Sequence, residues 1–130
     1  MSFTPRIHLR SEQSGGHVSV VENVVPPRWA GPYLHSHDFD EAFYLLEGEL
    51  VFQLEDDVVT KRAGDLVFAP RNVAHTLANH TDQPARYVLV ITPAGFERYF
   101  ARMGTDDPPA WALQPFPETT RVGPQIPFPA

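Results

Sequence analysis

The segment His35-Ser36-His37-Asp38-Phe39-Asp40-Glu41 carries two imidazoles and a carboxylate at alternate positions. On a strand-like path, residues two apart share a face, so all three side chains point to one side. Two neutral imidazoles and a carboxylate suit a borderline divalent ion and leave coordination positions open for chemistry. His75 lies on a later short stretch, after Gly64 and Pro70 turn the chain, where an antiparallel return could bring it to the same interior. A lone histidine is usually a surface or hydrogen-bonded residue, and His8, His17 and His80 are read that way. His35, His37 and His75 gain meaning only jointly.

Those residues need a scaffold, and the chain predicts an all-β one. From 18 to 91 it reads as short runs of Val, Leu, Ile, Phe and Tyr punctuated by Gly, Pro and Asn/Asp. About eight strands are expected. The clearest pair is 42–47 with 49–55 around Glu47-Gly48, where Gly48 can take positive φ and close a hairpin. Runs 58–62, 66–69, 75–78 and 85–91 follow, a spacing that means a sandwich or a closed barrel. After Thr92-Pro93 a helix over about 94–103 is predicted, with Phe96, Tyr99, Phe100 and Met103 on one face. That face is expected to pack against the outside of the barrel. Seven of the 14 prolines lie at 108–129, which excludes a long helix or a central strand and predicts an extended arm.

Composition narrows the function. A chain of 130 residues, 42% hydrophobic and 20% charged, fits one globular domain. A net charge of −6 without a Lys/Arg cluster speaks against nucleic acid and anionic membrane surfaces. With no cysteine, disulfides, thiolate metal sites and a Cys nucleophile are excluded. No run reaches the roughly 18 apolar residues of a membrane span, and 1–10 lack a signal-peptide core, so a cytoplasmic location is expected.

Two segments then resemble the cupin family. In the first, His35-x-His37 is followed by three residues, Glu41, six residues and Gly48; the usual upstream glycine is out of register, with only Gly31 near. In the second, Gly64, five residues, Pro70, one residue, Asn72, two residues, His75, three residues and Asn79 follow the family pattern. Only Asn72 departs, standing where glycine is usual, and Asn tolerates a left-handed turn. The two motifs, 31–48 and 64–79, imply a double-stranded β-helix, or jelly-roll, barrel over 1–107 with one short C-terminal helix, followed by the proline-rich arm over 108–130.

The resemblance makes His35, His37, Glu41 and His75 ligands of one divalent transition metal: Fe, Mn, Ni, Co, Cu or Zn. By inward parity Phe43, Leu45 and Leu77 should line the cavity, with Phe52, Phe68, Val88 and Val90 as further lining residues. Glu41 is the one acid–base group found there, and Tyr44 should face outward. The favoured function is a metal-dependent oxidoreductase of the quercetin-dioxygenase-like type, acting on a small aromatic or enolisable molecule. A non-catalytic small-molecule binder, a metal-dependent isomerase or cyclase, and a storage protein are the alternatives. Cupins commonly pair through N-terminal strands, so a homodimer through the valine-rich run 18–25 is expected.

Overall fold

Each apolar-alternating run of the sequence forms a strand, because β-branched and aromatic side chains fit a half-buried pleated surface. The computed structural model describes residues 1–130. In chain order it contains β1 (Thr4–Leu9), a one-turn helix α1 (Ser11–Ser14), β2 (Ser19–Val25), β3 (His35–Ser36), β4 (Asp40–Glu47), β5 (Glu49–Leu54), β6 (Asp57–Arg62) and β7 (Leu66–Ala69). There follow β8 (His75–Ala78), β9 (Ala85–Thr92), α2 (Glu97–Arg102), a 3-10 turn Ala110–Leu113 and β10 (Thr120–Arg121). The strands form two antiparallel sheets of five, ordered β1-β2-β9-β4-β7 and β10-β3-β8-β5-β6. This is the expected all-β jelly-roll barrel. Val21, Phe43, Leu45, Leu50, Phe52, Val67, Leu89 and Ile91 fill its core from both sheets.

Several local expectations change. The Glu47-Gly48 turn is not a hairpin: β4 pairs with β7 and β9, whereas β5 pairs with β6 and β8. Gly48, at φ +80°, instead turns the chain from one sheet into the other. A Cβ there would stand 2.6 Å from the Pro84 carbonyl oxygen, so only glycine fits the corner. The run 18–25 is not an edge either, because β2 lies between β1 and β9, with Val21 and Val25 fully buried. The premise for dimerisation through that run is lost, since its backbone groups are already paired.

The helix is shorter than predicted and sits elsewhere. Gly95, at φ +144°, cannot begin a helix, so α2 starts at Glu97. Glu97 is fully buried, and its carboxylate accepts from the Ser11 N–H (2.6 Å), the Ser11 hydroxyl and the Gly95 N–H (2.6 Å). That anchor ties α2 to α1 and holds it over the mouth of the barrel.

The proline-rich arm folds back over its own barrel. Arg102 donates to the carbonyls of Ala112 and Gln114, and β10 adds to the edge of β3. Beyond it, Gln125 donates to the Gly31 carbonyl, Ile126 is buried and the Phe128 ring lies tilted against His80 with centroids 4.5 Å apart.

Candidate metal centre

The residues 35–41 do not run as one strand. His35 is in β3 of one sheet, Glu41 is in β4 of the other, and the chain bends between them at Asp38 and Phe39. The four side chains therefore converge across the gap between sheets and not by lying on one strand face. His75 arrives on β8, directly opposite His35 in the pairing. One candidate ligand atom from each of His35, His37, Glu41 and His75 lies within 4.8 Å of the others.

Backbone carbonyls orient all three rings. The Nδ1–H groups of His35, His37 and His75 donate to the carbonyls of Tyr33 (2.7 Å), Phe39 (3.0 Å) and Val73 (2.9 Å), respectively. A carbonyl can only accept, so Nδ1 donates there and Nε2 is turned inward, where it is available to a metal. The His37 ring is further clamped by Phe39, stacked at 3.6 Å. Asn72 supports the same loop: at φ +65° it takes the left-handed turn, and its N–H donates to the His37 carbonyl at 2.8 Å.

At the centre, the Nε2 atoms of His37 and His75 lie 2.8 and 2.9 Å from Glu41 Oε1, and 3.1 Å from each other. Glu41 is 4% exposed, and burial alone would raise its pKa; the two imidazoles outweigh burial and hold it down at about 2. Burial likewise opposes charge on His75, but Glu41 raises its pKa above the usual value. His35, farther from the carboxylate, is lowered by burial. Glu41 has no Lys or Arg partner; its ion-pair partners are His37 and His75. Three inward Nε2 atoms around an ionised, buried carboxylate form a set that a divalent cation satisfies and that neutral imidazoles alone leave uncompensated. The residues fit a metal.

The cluster opens on a cavity of about 740 Å³. Of the residues expected to line it, Phe43 and Leu77 do so, beside His35, Glu41 and His75. Leu45 and Phe52 are buried in the core and not on the cavity wall. Phe68, Val88 and Val90 are corrected outright: they lie on the outer face, with Phe68 51% exposed. Register decides this, because Phe68 and Val90 flank Ala42, and Val88 flanks Tyr44, both of opposite parity to Glu41 and Phe43. Tyr44 is exposed, as parity predicts.

Much of the wall was not foreseen. The α2 face of Phe96, Tyr99, Phe100 and Met103, expected outside the barrel, forms part of the cavity lining. Trp29, Tyr33 and Phe116 add further aromatic surface, and Arg121 reaches it from the arm. On β9, Tyr87 is a second acid–base group on the wall; its hydroxyl accepts from the Asn23 amide at 3.0 Å, and burial raises its pKa. Alternation with Leu89 and Ile91 was its only sequence signal, and that signal needs the register of β9.

Residues 21–92, which include all four cluster residues, match the Cupin domain family. The tetracenomycin polyketide synthase protein TcmJ of Streptomyces glaucescens is 30% identical over 82 residues, covering 62% of this chain and 55% of that protein. The chain thus spans about half the length of that relative. Among solved structures, a predicted oxalate decarboxylase from Thermotoga maritima superposes with a TM-score of 0.66 at 25% identity, over 70% of this chain and 80% of that one. A Cupin 2 conserved barrel domain protein from Salinispora arenicola gives 0.60 at 19% identity, over 69% and 75%.

Proposed function

Because the chain belongs to the Cupin domain family, we propose that it is a mononuclear metal-dependent enzyme that oxidises a small aromatic or enolisable molecule in a dioxygenase-type reaction. The observation that carries this reading is the aromatic cavity of about 740 Å³ opening directly on the His35–His37–Glu41–His75 cluster. A cavity of that size suits a small organic molecule, and its aromatic walls favour a flat one. The name of TcmJ, a polyketide synthase protein, supports the same substrate class.

In this reading the imidazoles of His35, His37 and His75 would hold the ion, together with the Glu41 carboxylate. When bound, the ion supplies Lewis acidity toward an enol or phenol oxygen, and redox chemistry if it is Fe, Mn, Co, Ni or Cu. The remaining work falls to the chain. Glu41 lies on the cavity wall and takes the substrate hydroxyl's proton once the bound ion has made that hydroxyl more acidic. Phe43, Leu77 and Phe96 orient the ring, and α2 with Phe116 of the arm excludes water from it.

Tyr87 gives specific support to a second reading. With Glu41 it makes two proton-handling groups on one cavity wall, which suits isomerisation or cyclisation without oxygen. Oxygen uptake separates the two. Metal-replete protein is screened with flavonols and β-diketones in an oxygen electrode and, anaerobically, by product analysis. Substrate-dependent oxygen consumption, abolished in His75→Ala, is expected; turnover that persists without oxygen would instead favour the isomerase reading.

A further inference from the structure

The arm places a cation beside the metal cluster. In the β10–β3 pairing Arg121 stands directly opposite His35. Directly opposite residues of an antiparallel pair project to the same face, about 5 Å apart at Cβ. Since His35 faces the cavity, Arg121 does too, and both line it. Tyr33 joins the two: its carbonyl accepts the Nδ1–H of His35, and the Arg121 guanidinium lies over its ring at 3.6 Å.

Arg121 has charge to spare. Arg10, Arg28, Arg62, Arg71, Arg86 and Arg98 each pair with a carboxylate, whereas Arg121 meets the Tyr33 ring and no acid. Stacking on a ring leaves the guanidinium edge free to donate in the plane. Glu118 and Thr119 lie on the same rim, but neither is the partner of a cluster residue in the strand register.

We propose that Arg121 is a specificity-determining residue that binds the anionic group of an aromatic carboxylate whose ring occupies the cavity. This deepens the proposed function and rests on it for the metal, but the recognition itself is by the arm. A guanidinium pairs with a carboxylate through two parallel N–H donors, a geometry that an amide of the same shape cannot match. The aromatic walls then select the rest of the molecule.

The test is calorimetric titration of zinc-loaded protein, its metal content verified first, with 1-naphthoate and with neutral 1-naphthamide. Wild type should bind the acid about tenfold or more tightly than the amide. Arg121→Gln should lose that preference while binding the amide as before, and Arg121→Lys, which keeps the charge but not the paired donors, should recover only part of it. Equal binding of acid and amide by wild type, no binding of the acid, or equal weakening of both by Arg121→Gln would overturn the proposal. Wild type that takes up no zinc sinks the underlying metal reading instead, a result read before any ligand is added.

Discussion

His35 and His75 stand directly opposite each other in the β3–β8 pairing, so a shared metal would join two strands that otherwise meet along a very short ladder. Ligand that binds only the folded chain stabilises it by about 4 kcal/mol at a thousandfold excess over Kd. Thermal unfolding with and without chelator should therefore show a Tm higher by on the order of 10 °C in the metal-loaded protein. An unchanged Tm would mean that the cluster holds no ion.

The chelated protein should have a stability maximum near neutral pH. His75, whose folded pKa is raised, contributes stability that is present below its unfolded value near 6.5 and is lost as pH rises through the folded value. His35, whose folded pKa is lowered, penalises the folded state as pH falls below the same unfolded value. Glu41 contributes stability that is full above its unfolded value of 4.5, declines as pH falls below it and is gone once pH has passed through about 2. Metal should remove the alkaline decline, because ligation requires neutral imidazoles. Denaturant titrations across pH 5 to 9 check both limbs, and a flat profile in chelator would count against the pairing of His75 with Glu41.

Asn72→Val should weaken the site without touching it. A β-branched residue at φ +65° costs about 1–2 kcal/mol, and the strain falls on the turn whose N–H holds the His37 carbonyl. Asn72→Gly should be tolerated. Urea midpoints and metal dissociation rates would show the contrast; equal behaviour of the two variants would mean that the turn does not position His37.

Glu97→Ala should destabilise by about 3 kcal/mol or more, because the Ser11 N–H, the Ser11 hydroxyl and the Gly95 N–H lose their acceptor in a buried setting. It should also loosen α2 over the cavity, raising the rate at which acrylamide quenches Trp29, read in a Trp111→Phe background. Quenching unchanged in that variant would show that α2 is held by its apolar face alone.

The motifs made the barrel and the four clustered residues legible because both leave local patterns: His and Glu spacing, turn residues and alternation. What escaped depends on pairing between distant segments. Nothing near Gly48 says that β4 and β5 join different sheets, since a corner and a hairpin ask for the same glycine. Phe68, Val88 and Val90 read as inward or outward only once β7 and β9 are registered against β4, and a slip of one residue reverses every face. The amphipathic face of α2 was legible as a face but not as a cavity wall, because the anchor that sets its position, Glu97 to Ser11, joins opposite ends of the chain. The arm's prolines announce extension, while its docking on the barrel edge depends on Thr120 and Arg121, whose partners are on β3.

Elemental analysis of untagged wild type and His75→Ala, both prepared without added metal, tests the central claim most directly. Wild type should carry about one equivalent of a divalent transition metal, and His75→Ala should lose it while keeping its β-sheet circular dichroism. Wild type that neither holds a metal nor takes one up, or a variant that retains it in full, would contradict the account.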